Sequence, residues 1–214
     1  MLLAVHSSPK RDGNLERMVV RTAEATGREY RLIRLADFRI APCVGCVRCA
    51  HSKRCVQKDE MAPLYDELES ADGLIMGGVN FNGRVNAVAH LFLERLYPLY
   101  HRDPAFRDKP AAVVAVGGET PGPAASDIVE YLRDIYYFHV VGTALFTSDN
   151  PPCLSCGYGA TCPVGIPALY WSPEACEALK RNRNRTSVFR RFEDDPDIVA
   201  ACERLGTTLL AAIG

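Results

Sequence analysis

The chain has 214 residues, 48% hydrophobic and 24% charged, with a formal net charge of −1. These are ordinary globular values, so general disorder is excluded, and a chain this neutral has no bulk attraction to nucleic acid or an anionic membrane. The first apolar run, Leu2 to Val5, is too short for a signal-peptide core and follows no basic segment. No other stretch reaches the roughly 18 apolar residues needed to span a bilayer, so a soluble, cytoplasmic protein without nucleic-acid or membrane partners is expected.

In chain order, Leu2 to Val5 reads as a strand buried on both faces of a parallel sheet. Leu15, Met18, Val19, Thr22, Ala23 and Thr26 recur at helical spacing, and Tyr30 to Leu35 alternates as a second strand. Residues 36–58 have little regular pattern. Met61, Leu64, Tyr65 and Leu68 mark a helix, and Gly73 to Met76 a third strand. Val85, Val88, Ala89, Phe92 and Leu96 form a helical stripe stopped near Pro98. Ala111 to Val116 is the fourth strand, Ile128 to Tyr136 a helical face, and Val140 to Phe146 the fifth strand. Residues 147–172 interrupt the pattern with prolines and cysteines. A last helix runs from Asp197 to Ala212, with Asp195 as N-cap and Pro196 at its first position. Strands alternating with helices predict an α/β doubly wound parallel sheet of order 2-1-3-4-5, in one domain spanning residues 1–214. The loop at 36–58 and the insertion at 147–172 interrupt that domain.

A sheet of this order binds its ligand in the crevice at the C-terminal ends of strands 1 and 3. Three loops fall there. The first, Ser7 to Leu15, joins a buried strand to a helix N-terminus and offers hydroxyls, cations and an amide to a phosphate. It has neither the glycine pattern of a dinucleotide fingerprint nor that of a P-loop. The second is Gly77 to Gly83 and the third Gly117-Gly118-Glu119, where glycines let the backbone approach a flat ring. A single such loop is equally well an ordinary solvated turn. Three at the correct strand ends favour a flavin, FMN.

Nine cysteines are the outstanding feature of the composition. In a reducing compartment they point to metal or redox chemistry more than to a disulfide framework, and an odd number leaves one thiol over. Cys43, Cys46, Cys49 and Cys55 lie within thirteen residues, with Gly45 relaxing the backbone between the first two. Tight spacing suits a [4Fe–4S] cluster, whose charge Lys53 and Arg54 would offset. Structural zinc is the competing reading, although zinc sites usually come as two separated pairs.

Cys153, Cys156 and Cys162 form an incomplete ligand set that Cys176 would complete as a second iron–sulfur or zinc site. A redox-active Cys153/Cys156 pair or simple reduced thiols are the other readings. Cys202 lies on the apolar face of the last helix and reads as core. The basic run Lys180 to Arg185, with Arg190 and Arg191, precedes Glu193-Asp194-Asp195 and reads as a solvated connection. An acidic electron carrier docking there is the alternative. The five histidines are scattered, with no metal-spaced pair.

Residues Ser7 to Leu15, Gly77 to Gly83, the Gly117-Gly118 pair and the cysteine spacing together resemble the iron–sulfur flavoprotein family. That family falls within the NADPH-dependent FMN reductase and flavodoxin-like superfamily. The likeness covers about residues 1 to 146. It implies phosphate contacts from Ser8, Lys10, Arg11 and Asn14, with Leu15 replacing a common hydroxyl residue. It implies isoalloxazine contacts from Gly78, Val79, Asn80, Phe81, Asn82 and Gly83, and from Gly117, Gly118 and Glu119. Val79 and Phe81 replace the usual Pro and Tyr.

The expected function is electron transfer between FMN and the cluster, with a ferredoxin or a small molecule as donor or acceptor. The resemblance also implies a homodimer or homotetramer in which the cluster approaches a neighbour's FMN. The rivals are an NAD(P)H-dependent FMN or quinone reductase with structural zinc, and a non-enzymatic redox or metal sensor.

Overall fold

Alternation along each central strand divides its side chains between two apolar layers. A computed structural model describes residues 1–118, 120–148 and 190–214, with short pieces at 158, 161–165, 169, 172–174 and 177. Five strands are parallel: β1 (Leu2–His6), β2 (Tyr30–Arg34), β3 (Gly73–Phe81), β5 (Pro110–Gly117) and β6 (His139–Thr147). Their order is β2-β1-β3-β5-β6, as expected, and the two-residue β4 (Arg84–Val85) pairs antiparallel with the end of β3.

Leu2, Ala4, Ile75, Ala112 and Val114 face α1 (Asn14–Glu24) and α6 (Pro196–Ile213). Leu3, Val5, Leu74, Met76, Val113 and Ala115 face α3 (Leu64–Ser70), α4 (Ala87–Glu94) and α5 (Gly122–Val129). Helices on both faces make the sheet doubly wound. The remaining helix, α2 (Cys49–Ser52), is one turn inside the cysteine loop. Helix α5 runs on into a wider, π-wound stretch from Glu130 to Ile135.

The caps follow sequence chemistry. The Asp195 carboxylate accepts from the Ile198 N–H, with Pro196 at the first helical position. Cys202 is fully buried in the α1–α6 layer, and burial pushes its thiol up to about 11. It is a core residue. Arg190 pairs with Asp195 and Arg191 with Glu193, so this end of the basic run is balanced by the acids after it.

Strand β3 corrects the expectation. The sequence pattern ends this strand at Met76, with a loop from Gly77, yet the strand runs through Phe81 and turns back at Asn82-Gly83. Both turn residues have positive φ, 50° and 79°, as a two-residue hairpin requires. Gly77 and Gly78 are strand residues placed by packing. A Cβ on Gly77 would sit 2.7 Å from Val19 Cγ2, and one on Gly78 would sit 2.5 Å from Ile128 Cδ1.

No helix among the described residues is long and apolar enough to cross a membrane.

Helices α1 and α6 touch through Gly206, where a Cβ would collide with the Thr22 carbonyl oxygen and lie 2.8 Å from Ala25 Cβ. Backbone cannot yield as a flexible side chain can, so Gly206→Ala is expected to destabilise the protein by about 1–3 kcal/mol despite alanine's better helix propensity. Urea unfolding checks this.

Candidate functional site

The C-terminal ends of β1, β3 and β5 lie side by side at one edge of the sheet, where a doubly wound fold binds its ligand. After His6 the chain enters Ser7 to Gly13 and then α1, whose N-terminus no side chain caps. The first amide to be satisfied inside α1 is Arg17, bonded to Gly13 O. The amides of Asn14, Leu15 and Glu16 have no partner among the described residues, and with the helix dipole they suit a phosphate.

Asn86, at the start of α4, locks this loop to β3. Its Nδ2 donates to Ser7 O at 2.9 Å, its Oδ1 accepts from Ser7 Oγ at 2.6 Å, and its own N–H bonds Val79 O. Ser8 Oγ accepts from the Lys10 N–H at 3.1 Å, folding the loop over itself. Asn80 Oδ1 is buried without a partner, a free acceptor at the end of β3. Open amides, a nearby hydroxyl and this acceptor fit the phosphate and ring edge of a flavin.

Several expected contacts have other work. The Asn14 amide accepts from the Phe192 N–H and from Arg17, and donates to Arg190 O at 3.0 Å, pinning the loop to the segment before α6. Arg11 pairs with Asp37 at 3.0 Å. Leu15 is 2% exposed and packs in the core, so its amide alone faces the phosphate position. Gly78 packs against Ile128, whereas Val79 and Asn80 are half-buried and Phe81, Asn82 and Gly83 are exposed at the crevice rim. Gly117 is needed where β5 turns sharply, because a Cβ there would lie 2.9 Å from Pro121 N. Gly118 follows half-buried, and Glu119 lies outside the described residues.

Beneath the loop, His6 is fully buried with neither ring nitrogen hydrogen-bonded and Nε2 3.5 Å from Glu16 Oε2. Burial holds its pKa below the usual value, against the pull of Glu16.

The second centre is the cysteine loop. Cys43, Cys46, Cys49 and Cys55 all line one cavity, closed by Glu94, Arg95, Tyr97 and Pro98 at the C-terminal end of α4. Cys43 and Cys46 are exposed, Cys55 is half-buried and Cys49 is buried, which raises the Cys49 thiol pKa, with the three other thiols adding to the effect. The backbone bends around the cavity through Gly45, Val47 and Lys53, at φ 64°, 55° and 55°. Left-handed geometry is a real strain for a β-branched residue such as Val47. Four thiols around one cavity fit a cluster. Among the described residues, no three Cys, His, Asp or Glu side chains converge as a single-ion site.

Cys162 is half-buried, its N–H bonded to Tyr158 O at 2.8 Å. Cys153, Cys156 and Cys176, the rest of the expected second site, lie outside the described residues.

One buried ion pair fastens both ends of the cysteine loop. Arg95, 1% exposed, donates to Ala41 O at 2.7 Å and to both Asp59 oxygens at 2.5 and 3.0 Å. Asp59 also accepts from the Ala41 N–H at 2.8 Å, and Tyr65 Oη donates to Arg95 O. Nothing in the local sequence distinguishes Arg95 from a surface arginine, and neither it nor Asp59 was foreseen. Lys53 and Arg54, expected to offset cluster charge, are committed elsewhere: Lys53 to Asp103, Arg54 to Asp66 and Glu69.

The two centres sit at opposite ends of α4. Arg95 follows Asn86 by nine positions, about 14 Å along the helix.

The sequence profile of the NADPH-dependent FMN reductase family matches residues 1–150. The chain belongs to that family. It is a flavin-dependent oxidoreductase. An iron–sulfur flavoprotein of Methanocaldococcus jannaschii is 28% identical over 163 residues, covering 75% of this chain and 81% of the relative. One of Archaeoglobus fulgidus is 26% identical over 201 residues, covering 91% and 96%. Among solved structures, a flavodoxin from the domain Archaea is similar in fold, with TM-score 0.53 and 14% identity over 100% of this chain and 99% of that one.

Removing one partner of a buried pair leaves an uncompensated charge, so Arg95→Ala is expected to cost the metal-free protein about 3–5 kcal/mol in chemical denaturation. Burial alone would raise the Asp59 carboxyl, but the Arg95 bonds and charge and the Ala41 and Met61 amides outweigh it and hold the pKa below the ordinary 3.8. A depressed carboxylate pKa gives stability that is present above 3.8 and lost as pH falls through the folded value. In acid titrations followed by circular dichroism, Asp59→Asn should lack that part of the loss.

Proposed function

We propose that this chain is an iron–sulfur flavoprotein, with FMN in the strand-end crevice and a [4Fe–4S] cluster on Cys43, Cys46, Cys49 and Cys55. The observation that carries the reading is the gathering of these four thiols around one cavity at the far end of α4 from the flavin crevice. The names of the archaeal relatives support it. Bound FMN exchanges two electrons or one and a cluster exchanges one, so together they couple two-electron and one-electron partners.

The protein's own part is to bind and orient. The α1 amides and Ser8 hold the phosphate, the Ser7–Asn86 pair fixes the spacing between β1 and β3, and Asn80 addresses the ring edge. Lys10, Arg11 and the rim residues 79–83 and 117–118 surround the flavin without a required acid or base. The thiols hold the cluster, and the exposure of Cys43 and Cys46 leaves one side of it open to a partner.

The two sites lie at opposite ends of the eight-residue α4, about 12 Å of helix, while the cluster side is exposed. We therefore propose a homo-oligomer in which the cluster serves the FMN of a neighbouring subunit. A ferredoxin-like carrier or a small molecule would be the external partner, in the cytoplasm.

The test is stopped-flow reduction of the cluster through FMN over a dilution series, with assembly followed by analytical ultracentrifugation. Cluster reduction is expected to slow more than tenfold as oligomers dissociate. An unchanged rate in monomers contradicts transfer between subunits.

A further inference from the structure

His6 closes β1 beneath the loop that enters α1, beside Arg34 of β2 and Gly77 of β3. Its side chain lies on the α1 face of the sheet, since a Cβ on Gly77 would meet His6 Cβ at 3.1 Å and Leu15 Cδ1 at 3.2 Å. The ring is fully buried, and neither nitrogen has a hydrogen-bond partner among the described residues. Buried polar atoms are rarely left this way in folded proteins, and each calls for an explanation. Facing the ring is Glu16, whose Oε2 lies 3.5 Å from His6 Nε2 and accepts from the Asp12 N–H at 3.2 Å. Glu16 also owns one of the open amides in the first turn of α1. Its carboxylate therefore faces both the buried imidazole and the loop that enters the helix. The other charges acting on His6 are Arg34 and Asp37, the latter in the turn after β2. These two pair with each other, Nε to Oδ2 at 3.0 Å, and Arg11 also meets Asp37 at 3.0 Å. From β3 only the uncharged Gly77 stands beside the ring.

We propose that His6 and Glu16 form a proton-accepting pair beneath the phosphate position, and that FMN binding with its phosphate on the first turn of α1 is coupled to protonation of His6. This rests on the phosphate reading above. A phosphate dianion at those amides comes close to the Glu16 carboxylate, and like charges at short range repel. A proton on His6 offsets that repulsion, and the imidazolium has Glu16 as its acceptor. Without the phosphate, burial outweighs Glu16 and holds the His6 pKa below its ordinary 6.5. The sign follows from linkage. A group whose pKa rises on binding takes up a proton, so binding is strengthened at low pH and the gain is lost as pH rises through the bound-state value.

The experiment follows the His6 imidazole by NMR in pH titrations of the full chain alone, with riboflavin and with FMN. His6→Asn or His6→Gln identifies its signal among the five histidines. The His6 midpoint is expected to rise by about one pH unit with FMN, which is about tenfold in affinity at low pH. It is expected to stay in place with riboflavin, which has the ring system but no phosphate. Glu16→Gln keeps the helix and its amide, and is expected to lower the midpoint in the FMN complex. Calorimetry of FMN binding in buffers of different ionisation heat gives a second reading. The wild type should take up more protons than His6→Asn at the same pH, where the titration of the phosphate itself is common to both. A midpoint that FMN leaves unmoved, or that riboflavin raises equally, overturns the coupling. A midpoint unchanged in Glu16→Gln overturns the pairing with Glu16. FMN binding no tighter than riboflavin overturns the phosphate position at α1 itself, a result the affinities separate from the others.

Discussion

Most of the three central strands of this sheet are covered by helices on both faces, and that constraint governs where polar chemistry can occur. Leu2 to Val5 and Ala111 to Ala115 are fully buried, with no room for a ligand over either face. Only the strand ends expose backbone amides, and there the chain places Ser7, Asn86, Asn80 and the open first turn of α1. The crevice follows from the layering. The glycines of β3 serve the same layering, since Gly77 and Gly78 let Val19 and Ile128 close on the strand.

The cysteine loop lies outside this scheme and needs its own anchor. Its two ends leave the body near Ala41 and return near Asp59, with no strand pairing to hold them. A guanidinium is suited to the task because its planar fork bonds a carboxylate and a carbonyl at once. Coming from the end of α4, Arg95 ties the loop to the helix that starts at the flavin crevice. The cysteine loop and the loop after β1 are thereby joined to opposite ends of one helix.

The legible parts of the sequence were those with a strong period. β1, β5 and the α1 stripe stand out because burial on both faces, or on one helical face, leaves a continuous apolar mark. The cysteine spacing was equally plain. β3 was cut short because glycine pairs read as breakers, although Asn82-Gly83 is itself a strong hairpin signal and marks the true turn. Asn14 and Arg11 suited a phosphate loop by type, but nothing local revealed their partners in the distant segment at 190–192 and at Asp37. Arg95 and Asp59 are 36 positions apart, and no pattern at either marks a buried pair.

The central claim is that this flavin-dependent fold carries an iron–sulfur cluster on its four-cysteine loop. The most direct measurement is the content of FMN, iron, sulfide and zinc per chain after anaerobic purification. The account predicts about one FMN with about four iron and four sulfide, rising to about eight iron if Cys153, Cys156 and Cys162 hold a second cluster. FMN with zinc and no sulfide would contradict it and leave a flavin reductase with a structural metal.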